Sequence, residues 1–255
     1  MLPYFRSMEA FFDLSLPKSW ADLSDPQLLF FFRQLATDKP MAEIQTLCLC
    51  QWANVLVRCR LYGSVYLVQH GKQQATLTLH QFVCAITALD FLKSFSPYPI
   101  RIRTIGKVRP MEADFQGVPF STFISADNYY QGFIHTKNET LLSHLATLLY
   151  PKVKKSKLST PLLLNTFYWF SSQKHYFAQL FPHFLQPMPA DEQNLLGYAP
   201  PIGEVLRTAM NAQFRALTGG DITKEEAVLS MDTWRALTEL DAKAKEVENI
   251  KRQTK

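Results

Sequence analysis

Between Asn54 and Leu79 the hydrophobic period of the chain changes, and this change constrains the fold more than any other feature. Before and after it, apolar residues recur at three- and four-residue spacing. Within VLVRCRLYGSVYLVQHGKQQATLTL they alternate, with breaks at Tyr62-Gly63 and His70-Gly71-Lys72. Strand alternation interrupted twice by short turn signals predicts a three-stranded antiparallel meander over about 55–79. The fold class that follows is mainly α with a small antiparallel β meander (α+β) and a helical C-terminal half.

The helices are marked by caps and breakers. Ser24-Asp25-Pro26-Gln27 starts a helix over 26–37, with a capping residue followed by proline in the first turn. Ile44, Leu47, Cys48 and Trp52 predict a second over 40–53, and Phe82, Ile86, Leu89, Phe91 and Leu92 a third over 80–94. Prolines and glycines punctuate 95–120, which reads as an ordered loop with IRIRTI as a short strand. PFSTFISADNYYQGF and ETLLSHLATLLY then read as helices, the second stopping at Tyr150 because Pro151 follows.

Helix resumes near Pro161, capped by Ser159 or Thr160, and again at Ile202, ending at Gly219-Gly220. Thr223 to Glu226 fits a capping box, and a long helix starts near Asp232. The organisation expected is a helical domain with the meander over 1–150, a basic linker over 151–160 and a helical region over 161–218 with a proline-rich arm at 187–201. A C-terminal helical assembly segment over 219–255 completes it.

Aromatic residues make up 13% of the 255 residues and hydrophobic ones 47%, which excludes disorder over most of the length. Only nine glycines are present, so loops that cradle phosphates or dinucleotides are disfavoured. No nucleophile elbow, Walker loop, dinucleotide fingerprint or H-E-x-x-H motif occurs, which predicts a protein that is not an enzyme and takes no cofactor. Cys48, Cys50, Cys59 and Cys84 lack the spacing of a zinc site and read as buried, reduced thiols. Glu9 and Asp13 interrupt the only stretch resembling a signal peptide, and no apolar run reaches the ~18 residues of a membrane span, so the expectation is an intracellular protein without membrane contact.

Residues 41–190 carry fourteen basic and six acidic groups, so the middle of the chain is the part that steers toward anions. Two clusters stand out: Arg101, Arg103, Lys107 and Arg109, and then Lys152, Lys154, Lys155 and Lys157. These are the candidate nucleic-acid contacts, since phosphate neutralisation requires such cations, although a charge run is more often simply solvated. Glu112 with Asp114, and Asp127 beside Asn128, Tyr129 and Tyr130, are weaker candidates for acid–base or substrate contacts. They read more simply as solvated loop carboxylates and core or interface tyrosines.

Phe167, Tyr168, Trp169, Phe170, Tyr176, Phe177, Phe181 and Phe184 place aromatics on all sides of one helix. Either that helix is central and buried, or another chain covers part of it. Trp234, Leu237, Leu240, Ala244 and Val247 form a narrow stripe on the last helix that needs a partner in cis or in trans. The candidate interaction residues are therefore Trp169, Tyr176, Phe177, Trp234, Leu237 and Leu240.

The phrases LPKSWADLSDPQLLFF, QGVPFSTFISADNYYQGF, NTFYWFSSQKHYFAQLFPHFLQP and MNAQFRALTGGDITKEEAVLSMDTWRALTELDAKAKE together resemble a family of uncharacterised proteins encoded in prophages and mobile elements of gut Bacteroidetes. The resemblance covers most of the chain and carries no catalytic residues over. It implies a non-enzymatic structural or assembly protein of a phage or prophage, in a head-to-tail, tail or tail-assembly role. Such a protein acts through contacts with other phage or prophage proteins, as a homo- or hetero-oligomer, in the host cytoplasm or the virion. The alternative is a nucleic-acid-binding accessory protein using clusters 101–109 and 152–157.

Overall fold

A computed structural model describes residues 16–185 and 202–253. The chain forms two compact units: one runs to Ser96 and includes Thr160–Asn165, the other comprises Pro97–Ser159 and residues from Thr166 onward. The proline-rich arm expected at 187–201 lies outside the described residues.

In the first unit, α1 (Asp25–Leu35) and α2 (Met41–Trp52) precede the meander β1 (Val55–Tyr62), β2 (Val65–His70) and β3 (Gln73–Thr78), and α3 (Leu79–Thr87) follows. The start of α1 is a capping box, in which the Ser24 amide donates to the Gln27 side-chain oxygen at 2.9 Å and Pro26 occupies the first turn. The sheet order is β1-β2-β3, antiparallel throughout, with Val57, Val68 and Ala75 aligned across it. Val68, Ala75 and Leu77 are buried with Phe31, Phe32, Ile44, Cys48 and Leu49. Trp20 joins this core; its rings contact Phe31, Phe32 and Phe91, and its indole N–H donates to the Phe91 carbonyl at 2.9 Å.

The helix expected over 80–94 ends at Thr87, and Asp90–Lys93 forms a separate 3₁₀ turn. The Leu89 carbonyl between them is taken by the buried Gln45 side chain at 2.9 Å, a partner 44 residues away.

In the second unit, residues 97–119 form the ordered loop expected, but IRIRTI is not a strand. Isolated bridges between Ile105 and Val108 and between Pro119 and Asp232 appear in the loop. Helices α4 (Phe120–Thr136), α5 (Glu139–Leu149), α6 (Thr160–Leu180), α7 (Ile202–Thr218), α8 (Glu225–Ser230) and α9 (Thr233–Gln253) follow, the first six residues of α6 belonging to the first unit. The capping box expected at Thr223 does not form. Asp221 takes the role instead, its carboxylate accepting from the Thr223 amide and hydroxyl, and a 3₁₀ turn precedes α8.

The part of α6 within the second unit is its central buried helix. Trp169, Phe170 and Phe177 are fully buried. Tyr130 and Phe133 of α4 cover Phe167, Phe115 and Tyr150 cover Trp169, and Phe123 covers Phe170 and Phe177. Trp234 of α9 contacts Tyr176, Phe177 and Phe181. Trp169 and Phe177 are thus covered by their own chain, and the reading of these two as contacts for another chain is corrected, while Phe167, Tyr168 and Tyr176 stay half-buried.

The same holds for the C-terminal segment, which docks in cis. Ala236, Leu237 and Leu240 are buried, the Thr233 amide and hydroxyl donate to the Val118 carbonyl, and one Asp241 oxygen accepts from the His183 and Phe184 amides. Leu237 and Leu240 are core residues of their own unit, and Trp234 is half-buried against its rings. Only beyond Ala244 does the stripe open, with Val247 50% and Ile250 63% exposed.

Asp232 starts α9 and holds it to the loop. Its carboxylate accepts from the Trp234 and Arg235 amides, as a helix cap does, and from the Gly117 amide at 2.7 Å. Asp232→Ala is expected to cost about 1–3 kcal/mol, because a cap is lost and a loop amide loses its partner. Urea unfolding of the two proteins checks this.

Candidate functional site

The two basic clusters, about fifty residues apart in sequence, lie side by side in the second unit. The Met111 amide donates to the Leu149 carbonyl at 2.9 Å, and the Tyr150 hydroxyl donates to the Ile102 carbonyl at 3.2 Å. These bonds lay the loop after Ile102 beside the segment that leaves α5. Pro151 stops that helix, Val153 is buried as an anchor, and Lys155–Lys157 form a 3₁₀ turn. The segment 151–159 is therefore a pinned surface strap with one core residue.

Arg103, Lys107, Arg109, Lys152, Lys154, Lys155 and Lys157 are all exposed. Residues 97–159 carry nine Lys and Arg against four Asp and Glu, so the surface is cationic on balance. Arg101 is different. Its Nε donates to the Met111 carbonyl at 2.8 Å, its guanidinium lies 3.5 Å from Glu112 and sits 5.8 Å from the centre of the Trp169 ring, and its side chain is 17% exposed. It is a structural group of the loop, not part of the outward surface.

The acidic candidates are likewise absorbed by the fold. Glu112 pairs with Arg101, and an Asp114 carboxylate oxygen accepts from the Gln116 amide. The backbone carbonyl of Asp114 accepts from the Trp234 indole at 2.7 Å and from Gln173 at 3.3 Å. Asp127 forms an ion pair with Lys174, whose ammonium also lies over the Tyr130 ring. Tyr130 stacks on Phe167 and shares a hydrogen bond with the Ser171 hydroxyl, and burial raises its pKa. Tyr129 packs edge-on against His144. Asn128 lines a hollow of only about 30 Å³.

The thiols divide. Burial pushes the Cys48 thiol up to about 12 and raises that of the half-buried Cys50, which disfavours the reactive thiolate, whereas Cys59 and Cys84 are exposed, against the expectation that all four are buried. Cys84 lies 3.6 Å from His80 one turn earlier on α3. Among the described residues no group of three or more His, Cys, Asp and Glu is placed to hold a metal ion, and no helix is long and apolar enough to cross a membrane.

Comparison of the chain with models of protein families, with curated proteins and with solved structures gave no match.

Proposed function

We propose that the protein works by non-covalent contact, holding a polyanion on the basic surface of its second unit, with a nucleic-acid backbone as the ligand chemistry. The observation that carries this reading is that the segments bearing the exposed Arg103, Lys107 and Arg109 and the exposed Lys152, Lys154, Lys155 and Lys157 are joined by the Met111–Leu149 and Tyr150–Ile102 hydrogen bonds. Cations so gathered neutralise successive phosphates and release condensed counterions, which makes binding sequence-tolerant and salt-dependent. A second reading is a phage or prophage assembly protein acting through protein contacts. It draws on the resemblance above and on the exposed apolar side chains Leu56, Leu61 and Tyr62 of the first unit. A phage particle accommodates both.

The test is binding of a labelled oligonucleotide duplex at two salt concentrations. If about five phosphates are neutralised, affinity falls about 500-fold between 50 and 200 mM salt. Changing Lys152, Lys154, Lys155 and Lys157 together to Ser is expected to remove most of that affinity while stability changes by less than about 1 kcal/mol, because these side chains are exposed. Binding that is insensitive to salt, or unchanged in the variant, overturns the reading.

A further inference from the structure

Among the described residues, the meander leaves β1 as an unpaired edge strand. In β1 every residue after Val55 is exposed, with Leu56 at 52%, Leu61 at 43% and Tyr62 at 74%. Cross-strand pairing places Leu56, Cys59 and Tyr62 on the sheet face that carries Val65, Leu67 and Gln69 of β2, opposite the face of the buried Val68. Register shifts at Val57/Cys59 and Arg60/Tyr62 leave Arg58 and Leu61 without a cross-strand partner in β2. An eight-residue edge strand with apolar side chains is one that proteins ordinarily blunt with lysine, proline, inward-pointing charge or β-bulges, and of these β1 carries only the two register shifts. Neither lysine nor proline occurs in β1, and its only charges are Arg58 and Arg60.

Charge selects the occupant. From Val55 to Thr78 the sheet carries Arg58, Arg60 and Lys72 and no Asp or Glu. Arg58 uses its Nε on the Gln69 side chain, and Arg60 uses its Nε on the Gly63 carbonyl. Neither forms an ion pair among the described residues. A second copy of β1 fits poorly: antiparallel pairing centred on Cys59 sets Arg58 against Arg60 twice, and parallel pairing sets each arginine against itself, both unfavourable across a strand pair.

We infer that β1 is a docking edge for an extended, acid-bearing segment of a partner protein, which adds as a fourth strand and meets Arg58 and Arg60 with carboxylates. Main-chain bonds supply affinity in such strand addition, and side chains supply specificity. Guanidinium–carboxylate pairs are directional and charge-assisted, which gives the preference for acid.

The experiment uses the whole chain and three labelled peptides of alternating Val and Thr that differ only in carrying Glu, Gln or Lys, read by fluorescence anisotropy. The Glu peptide is expected to bind at least about tenfold more tightly than the Gln peptide. The Arg58→Glu/Arg60→Glu double variant should transfer the preference to the Lys peptide, with an unchanged circular dichroism spectrum. The variant with Lys152, Lys154, Lys155 and Lys157 changed to Ser should bind the Glu peptide as before, which separates this edge from the basic surface of the second unit. Equal binding of the three peptides, loss of binding in the lysine variant, or a β1-dependent homodimer in sedimentation overturns the inference.

Discussion

A chain cut after Leu217 is expected to lose the fold of its second unit and to aggregate. The cut removes Trp234 from Tyr176, Phe177 and Phe181, and with it the buried Ala236, Leu237 and Leu240. It also strips the partners of the Gly117 and Phe120 amides, the Val118 carbonyl, and the His183 and Phe184 amides. Burying three large apolar side chains is worth about 1.5–3 kcal/mol each, which approaches the whole stability of a domain. Loss of the cooperative urea transition, with aggregates on size exclusion, is the expected result. A folded monomer of unchanged stability would show instead that the segment is an appendage. Removal of residues 245–255 alone, where Val247 and Ile250 are exposed, should leave the transition in place.

Trp169→Ala is expected to be the most damaging single substitution in the second unit. Trp169 is fully buried, contacts the Phe115 and Tyr150 rings, lies beneath Arg101, and donates to the Ala113 carbonyl at 2.8 Å. The cavity term for a buried tryptophan is about 3–5 kcal/mol, and the Ala113 carbonyl is left without its donor. The neighbour most affected is Phe115, a fully buried residue held at φ 64°, where a bulky side chain is strained. Its ring packs on Phe123, Trp169 and Phe170, so those contacts hold the strained backbone in place. A drop in the urea midpoint corresponding to less than ~1 kcal/mol would contradict this account.

The meander and most helix starts were legible because their causes are local. Alternation with Gly63 and Gly71 at positive φ specifies hairpins, and Ser24 with Gln27 specifies a cap. The misread elements have distant causes. The 80–94 helix breaks where Gln45 captures the Leu89 carbonyl. IRIRTI alternates like a strand, but among the described residues no strand pairs with it. Its polar groups are satisfied by other partners: the Ile102 carbonyl accepts from the Tyr150 hydroxyl, and the Arg101 side chain donates to the Met111 carbonyl. Thr223 lost the capping role to Asp221, two residues upstream and equally visible in the sequence.

The basic residues of the candidate site were all found in the sequence, but their convergence was not, because it depends on the loop after Ile102 lying along the end of α5. Arg101 could not be told from Arg103 by sequence. One faces the Trp169 ring and the other is exposed, whereas strand alternation would put residues two apart on the same face, so the split follows from the irregular backbone of this loop.

The joint between the loop at 117–120 and the start of α9 also orders events during synthesis. Gly117 bonds to Asp232 and Val118 to Thr233, each across 115 residues of chain. Closing so long a loop carries an entropy cost that local contacts in the nascent chain do not offset, and non-local pairing of this kind slows folding. The helices of the second unit emerge from the ribosome before Trp234, so Phe177 and Phe181 lack its ring until the residues around it arrive. That interval exposes apolar rings to other nascent chains, so the second unit is where a chaperone would be needed. The meander, closed by turns of two residues, needs no such wait.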